Sequence, residues 1–296
     1  MFYLLALLAF AVLLTLWGVL VERNRFTVVR EELAILAKGS KPIRILHISD
    51  LHLAPWQKRK LAWIAKLYEL KPDLVVNTGD NLGHRDAIRA TLTALAELLK
   101  RPGVFVNGSN DYHSPEVRNP LTYLNKPSTP SHKERIDTAK LTDAFEANGW
   151  KNLNNRSSTI NVAGNRIGFL GLDDPHDKLA DFENLPSQKT ELGSQDLIIG
   201  VAHAPYLRVI REFGNNGAEL VFAGHTHGGQ ICLPKFGAII TNCDLPRKFA
   251  KGLSEHRVGS KAVWLNVCAG LGTSIFAPIR LFCKPEVRLL TLIAKS

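Results

Sequence analysis

Two histidines one residue apart, in Gly224-His225-Thr226-His227-Gly228-Gly229-Gln230, follow directly on the apolar run Leu220-Val221-Phe222-Ala223. Three further groups of metal-ligand residue types stand in the same setting. Asp50-Leu51-His52 comes after Ile43-Arg44-Ile45-Leu46-His47-Ile48, and Gly79-Asp80-Asn81 comes after Leu74-Val75-Val76. His203 comes after Leu197-Ile198-Ile199-Gly200-Val201. Each run is short, rich in β-branched residues and bounded by Gly, Pro or Asp, the pattern of a buried strand. Side chains at the carboxyl ends of adjacent buried strands converge on one rim of a sheet, where open sheets hold their ligands. Carboxylate oxygens with imidazole nitrogens, and no cysteine at these tips, suit Mn, Fe or Zn rather than a thiolate cluster. Taken singly, Asp50 and Asp80 could cap helices and a lone buried histidine is structural. Four such groups, each just past a strand, point instead to one shared centre.

The elements that must position these residues are legible from the same patterns. Helices are expected at about 58–70, 85–100, 138–148 and 205–213. The second carries Ile88, Leu92, Leu95 and Leu99 as one apolar stripe that faces a sheet. Pro72 and Pro102-Gly103 stop the first two, and Gly214 can cap the last. Alternating strands and helices in the first half predict a sheet covered by helices. The second half is richer in strands, with candidates near 157–163, 166–171, 237–241, 262–268 and 287–293.

The order Asp-x-His, Gly-Asp-Asn, Ser-Asn-Asp, His, Gly-His-x-His resembles the calcineurin-like metallophosphoesterase family, across most of the chain. Gly270-Leu271-Gly272-Thr273-Ser274 and Arg280 followed by Lys284-Pro285-Glu286 look like its membrane-associated bacterial branch. The resemblance implies an α/β fold, a four-layer αββα sandwich of two mixed sheets. It also implies a centre for two divalent metal ions: Asp50, His52 and His227 on the first, Asp80 bridging both, and Asn110, His203 and His225 on the second. The residue types suit that task, since a carboxylate bridges and offsets two cations while neutral imidazole ligates without adding charge. Two metals roughly 3.5–4 Å apart activate a nucleophile, align it for in-line attack and stabilise phosphate oxygens.

One group departs from the family. The usual Gly-Asn-His-Asp or Gly-Asn-His-Glu supplies a ligand asparagine and a histidine that helps the leaving group; this chain has Asn107-Gly108-Ser109-Asn110-Asp111-Tyr112-His113. Aligned on Gly108, Ser109 replaces the ligand and Asn110 the acid. Counted from the strand start at Gly103-Val104-Phe105-Val106, Asn110 keeps the ligand place and Asp111 takes the acid's. The second register is preferred, because losing the amide would cost the second metal. The family's acid histidine is absent in either register, so Asp111 and His113 become the candidate catalytic groups. Asp111 is expected to stay ionised beside cations.

At 296 residues, 45% hydrophobic and 22% charged, the chain can bury a full core. Cys232, Cys243, Cys268 and Cys283 show no CxxC spacing, and Cys268 and Cys283 read as core residues. Residues 1–21 carry no charged side chain, about 30 Å of helix and enough to span a bilayer core. No basic stretch precedes this run and no small-x-small cleavage site follows it, so an uncleaved transmembrane anchor is expected over 1–21. A linker over 22–41 and a catalytic domain over 42–296 complete the expected organisation. Arg23, Arg25 and Arg30 follow the span, which by the positive-inside rule expects a single-pass protein of the cell membrane with its catalytic domain in the cytoplasm. The net charge of +10 lies beyond the anchor and suits anionic headgroups or a phosphorylated substrate. Nucleic acid ranks lower as a partner, because no Arg-rich helix or basic strand interleaved with aromatics is present. Residues 113–137, with four prolines and several basic residues, are a candidate substrate lid. Asp173-Asp174-Pro175-His176 reads as a turn that lines the site at most.

These readings lead to a membrane-anchored, dinuclear-metal phosphoesterase that hydrolyses a phosphodiester or pyrophosphate bond in a lipid-linked or nucleotide-linked substrate. The alternatives are a nucleotide or nucleic-acid phosphodiesterase recruited by charge, and a metal-binding scaffold whose altered Ser-Asn-Asp group has impaired catalysis.

Overall fold

The computed structural model describes residues 1–115 and 134–296. In chain order the strands of the first half are β1 (Thr27–Leu36), β2 (Ile43–Ile48), β3 (Leu74–Asn77), β4 (Gly103–Phe105) and β5 (Lys151–Asn152). They are followed by β6 (Ser157–Val162), β7 (Asn165–Gly171), β8 (Leu197–Val201), β9 (Leu220–Ala223), β10 (Cys232–Leu233) and β11 (Gly237–Ala238). The last are β12 (Gly252–Val258), β13 (Lys261–Val267) and β14 (Glu286–Ala294). The helices are α1 (Phe2–Leu16), α2 (Lys58–Ile64), α3 (Ile88–Leu95), α4 (Ser109–Tyr112), α5 (Ala139–Ala147), α6 (Leu185–Leu192) and α7 (Leu207–Asn215).

Two six-stranded mixed sheets result, ordered β1-β14-β2-β3-β4-β5 and β12-β13-β9-β8-β7-β6. In the first, β2, β3, β4 and β5 run parallel while β14 is antiparallel to β2. In the second, β7, β8, β9 and β13 run parallel, with β6 and β12 antiparallel at the edges. Two-residue alternation along the strands sorts the core into layers. Ile43 and Ile45 of β2 meet Ile199 of β8 and Phe222 of β9 between the sheets. Leu46 and Ile48 point the other way, onto a layer with Leu95 of α3 and Phe145 of α5. Val221 of β9 likewise packs outward beside Val209 and Phe213 of α7. Apolar side chains on both faces of the central strands therefore give the helix–sheet–sheet–helix sandwich.

The inner layer holds one polar staple. His47 of β2 continues the inward register of Ile43 and Ile45, and its Nδ1 lies 2.9 Å from Asn266 Oδ1 on β13 of the other sheet. Its Nε2 lies 3.0 Å from Thr78 Oγ1, and its ring meets Phe222 edge-on. Both ring nitrogens thus have partners inside an apolar layer, where an unpaired polar group is costly.

Several elements differ from the sequence reading. Residues 27–36 of the expected linker form β1, which pairs in parallel with β14. The helix expected over 58–70 ends at Ile64 and resumes as a 3₁₀ turn at Leu67–Leu70. The strand expected at 237–241 shrinks to Gly237–Ala238, and α7 runs past Gly214 to Asn215. Ile88, Leu92, Leu95 and Leu99 do join one apolar layer under the first sheet. All four cysteines are free thiols, with Cys268 and Cys283 buried.

Burial pulls the His47 pKa down to about 3, with nearby Arg288 adding to the fall and the Asn266 bond opposing it. The unfolded chain then takes up a proton near pH 6.5 that the folded chain refuses, so stability held above pH 6.5 is lost as pH falls towards 3. Wild type is expected to lose about 2 kcal/mol more than His47→Gln between pH 6.5 and 5, read by denaturant unfolding in detergent. Parallel acid limbs in the two proteins would refute a neutral, buried His47.

Candidate metal centre

The strand tips deliver the expected residues to one rim. Asp50 and His52 follow β2, Asp80 follows β3, and Asn110 follows β4 in the first sheet. His203 follows β8, and His225 and His227 follow β9 in the second. The rim therefore straddles both sheets, at the carboxyl ends of their central parallel strands. Backbone bonds tie the tips to one another: Asp50 N–H to Gly79 O (2.9 Å), His52 N–H to Asp80 O (3.0 Å) and Gly224 N–H to His203 O (2.8 Å).

Metal-type ligand atoms of Asp50, His52 and His227 lie within 4.8 Å of one another, as do those of Asp50, Asp80 and His203. Asp80 Oδ2 is 3.4 Å from His52 Nε2 and 3.5 Å from His203 Nε2. His227 Nε2 is 3.5 Å from Asp50 Oδ1. The imidazoles stand in two pairs, His52 with His227 at 4.9 Å between centroids and His203 with His225 at 5.2 Å. The Asn110 amide reaches Asp80, its Nδ2 donating to Oδ2 at 2.7 Å and its N–H to Oδ1 at 2.8 Å.

The chain bends sharply to achieve this. Asp50, His52, Asp80, His225 and His227 all have positive φ, from 40° to 67°. Side chains with a Cβ rarely adopt that region, and residues held there concentrate at functional sites. Close approach is also built in at Gly224, where a Cβ would overlap Ser49 Oγ and the Asp50 carboxylate. At Gly108 a Cβ would overlap Asp80 Oδ1 and crowd the His203 ring.

The donor set fits divalent cations. His203 Nδ1 lies 2.7 Å from Thr78 O, and His227 Nδ1 lies 3.2 Å from Gly272 O. Such backbone bonds fix the tautomer and turn the other nitrogen towards the carboxylates, the usual support of a metal-bound imidazole. Buried Nε2 atoms of His52 and His203 have no hydrogen-bond partner, which is costly unless something else satisfies them. Burial lowers the pKa of His52 to about 4 and holds His225 and His227 well below the ordinary imidazole value, so these rings are neutral. For His203 burial also disfavours charge, but Asp80, Asp50 and Asp174 outweigh it and raise its pKa to about 10. Burial raises Asp50 to about 6, with Asp80 contributing. The carboxylates thus draw positive charge inward.

Asp111 and His113 stand differently. The buried Asp111 carboxylate accepts the N–H groups of Asn81 (2.8 Å), Leu82 (3.2 Å) and Gly108 (3.1 Å), and the Asn81 side-chain amide at 3.2 Å. Burial, reinforced by Asp80, raises its pKa to about 7 against the pull of those donors. His113 Nε2 lies 3.5 Å from Asp177 Oδ2. Within the candidate lid, residues 116–133 lie outside the described residues.

Two residues gained importance that the sequence reading did not give them. The His176 ring lies 4.5 Å from His225, with its Nδ1 2.9 Å from the Tyr206 hydroxyl. Arg280, fully buried, donates to the carbonyls of His227 (3.2 Å), Ala269 (2.6 Å), Gly270 (3.1 Å) and Gly272 (2.7 Å). The signal for His176 was its place after β7, beside the His203 tip. For Arg280 it was a charge within an apolar, Gly-rich stretch.

Paired carboxylates and imidazoles on the rim of a two-sheet sandwich define a metal-dependent phosphoric ester hydrolase. The chain belongs to the calcineurin-like phosphoesterase family, whose description matches residues 43–229. It is similar to the uncharacterized protein YpbG of Bacillus subtilis (strain 168), 31% identical over 86% of this chain and 83% of that one. Phosphodiesterase YaeI of Escherichia coli (strain K12) is 25% identical over 92% of this chain and 90% of its own. A transmembrane protein with metallophosphoesterase domain from Bos taurus is 25% identical over 70% of this chain and 45% of its own.

Gly224→Ala is expected to weaken metal binding and turnover by roughly 10–100-fold, the range for groups that orient ligands, although Gly224 offers no ligand atom. Metal content after dialysis and hydrolysis of an aryl phosphodiester would both report it. Wild-type values for both would show that the close approach to Asp50 is dispensable.

Proposed function

We propose that this chain is a dinuclear-metal phosphodiesterase or pyrophosphatase, anchored in a membrane and acting on a lipid-linked substrate. Asp50, His52 and His227 hold the first cation, and Asn110, His203 and His225 hold the second. The observation that carries the allocation is Asp80 Oδ2, set between one imidazole of each sphere, His52 at 3.4 Å and His203 at 3.5 Å. When bound, the two cations supply charge to phosphate oxygens and acidity to water; Mn, Fe and Zn suit the oxygen and nitrogen donors. The chain's own residues anchor the rings of His203, His225 and His227 on backbone carbonyls and keep two carboxylates buried side by side. The similarity to a protein named a phosphodiesterase favours a diester or pyrophosphate over a monoester.

Membrane anchoring rests on one helical segment, Phe2–Asn24, long and apolar enough to cross a bilayer. The similarity to the protein named as transmembrane supports the same reading. A lipid-linked substrate is favoured by how closely this segment joins the centre. Gly18 O accepts the Arg280 N–H at 3.3 Å, while the Arg280 guanidinium binds the carbonyls of His227 and Gly272. Bonded neighbours thus run from the base of the apolar helix to the metal rim. The proposal includes a cytoplasmic catalytic domain, because Arg23, Arg25 and Arg30 follow the span. Washing membranes with high salt is expected to leave the full chain in the pellet, since screening releases only electrostatically held proteins.

Asp80→Ala is expected to lose both metals and all hydrolysis of an aryl phosphodiester, because its carboxylate serves both spheres. Asn110→Ala should be far more damaging than Ser109→Ala, whose side chain is outside the group of contacts around Asp80. Two metals retained in Asp80→Ala, or the reverse ranking at 109 and 110, would overturn the assignment.

With the Asp111 carboxylate engaged by four donors, the leaving group lacks the family's proton source there. Substrates whose leaving groups depart unprotonated, such as pyrophosphates and aryl esters, are therefore expected to exceed alkyl esters by roughly 10²–10⁴-fold, the usual contribution of a general acid. A leaving-group series on wild type and His113→Ala reads this directly. A flat dependence in wild type would mean that another group delivers the proton.

A further inference from the structure

A cleft of about 530 Å³ opens where the apolar N-terminal segment meets the catalytic domain, lined by Asn24, Thr27 and the residues named next. Its charged lining is wholly cationic: Arg25 and Lys284 on one side, Arg59 and Lys66 on the other. Arg59, Trp63 and Lys66 stand at helical spacing along α2 and just past its end, so one face of that segment forms a wall. Phe26 meets Trp63 at 5.5 Å between ring centroids and forms the apolar back. The four cations are exposed. The ion pairs among the described residues use other cations, so no carboxylate among them neutralises these four. Unpaired cations gathered at one concave spot are matched by an anion, and phosphate is the anion of a membrane surface.

We propose that this cleft binds the headgroup of an anionic phospholipid, as a site separate from the metal centre. The inference rests on the membrane-anchored reading of Phe2–Asn24, which sets the cleft at the level of the headgroups. A lipid rather than a free phosphate is favoured by the neighbouring cleft of about 810 Å³, which shares Arg25, Thr27 and Lys284 with the first. Its wall continues through Leu14, Trp17 and Phe282, apolar side chains at the base of the helix. Trp17 and Phe282 are 43% and 49% exposed, so a surface remains for the upper part of an acyl chain. Its carboxylates, Glu22 and Glu286, are already engaged. Glu22 accepts the Cys283 N–H at 2.6 Å and the Trp17 indole at 3.1 Å, and Glu286 accepts Arg288 at 2.8 Å. The headgroup phosphate is held by cations, and its chain follows the apolar wall into the bilayer.

The test uses full-length protein in detergent supplemented with equal phosphatidylcholine and phosphatidylglycerol, with retained lipid counted by native mass spectrometry. Each cation near an anionic layer is worth roughly five-fold. Wild type is expected to prefer phosphatidylglycerol, and Arg59→Gln/Lys66→Gln to lose roughly twenty-fold of that preference. Hydrolysis of bis(para-nitrophenyl) phosphate in detergent should be unchanged in the double variant, which shows that it folds. Equal retention of the two lipids by wild type, or an undiminished preference in the variant, overturns the proposal. Inorganic phosphate should not displace the retained lipid; full displacement would make this a simple phosphate site and overturn the lipid assignment. Salt extraction of membranes distinguishes the underlying reading. Release by salt overturns the anchor itself, whereas firm retention without headgroup preference overturns only this site.

Discussion

Two buried carboxylates that face the same space are the constraint on which the rest of this structure depends. Asp50 and Asp80 share a ligand group with His203, and neither side chain reaches bulk water. Two like charges in such a place cannot both stay ionised unless positive charge joins them. The protein's own partial answer is visible in His203, held as a cation by the surrounding carboxylates, and in the rise of Asp50 towards about 6. The neutral imidazoles His52, His225 and His227 leave the remaining imbalance to be met from outside. A cation-seeking centre follows from burial and proximity alone.

Holding that arrangement demands backbone that the chain does not adopt readily. Five of the seven proposed ligands sit at positive φ, a region that costs of order 1–3 kcal/mol per residue. The strain persists because neighbouring loops over-determine each tip. Gly272 N–H donates to Asp50 O at 2.7 Å, and the glycines at 108 and 224 let backbone lie directly against the carboxylates. Arg280 closes the assembly from behind. A buried guanidinium usually pairs with acids, but here its terminal nitrogens are met by four backbone carbonyls from two loops. It thus fixes His227 relative to the loop that backs Asp50 and His52.

What the sequence revealed and what it concealed divide along the same physical line. Short apolar runs that end in Asp or His can be read locally, so β2, β3, β8 and β9 and their tips were legible without the structure. Asn110, reached by counting from the strand start, has its amide against Asp80. β1 was not, because Arg30-Glu31-Glu32 interrupt its alternation and its partner β14 is some 250 residues away, as in Thr27 opposite Glu286. The hydrogen bonds of Asp111 were hidden for a similar reason: its donors Asn81 and Leu82 come from a different strand tip. His176 needed the knowledge that β7 neighbours β8, a fact of sheet order and not of spacing.

The N-terminal segment is mechanically continuous with the centre, and not a tether hung on a flexible linker. A tether would leave the stretch after the helix solvated and unpaired. Here Glu22 is buried and accepts the Cys283 N–H, and Thr27 N–H donates to Pro285 O at 2.9 Å. β1 then joins the first sheet. On the other side of that junction, Cys283 Sγ lies 3.4 Å from both His227 O and Gly228 O. The loop that receives the apolar helix is therefore the loop that backs the Gly-His-x-His turn. Any tilt of the helix against the domain must be absorbed by residues 279–285 or passed to His227. With Arg280 bonded at both ends, at Gly18 through its backbone and at His227 and Gly272 through its side chain, that segment has little slack. The orientation of the helix and the geometry of the rim are set together.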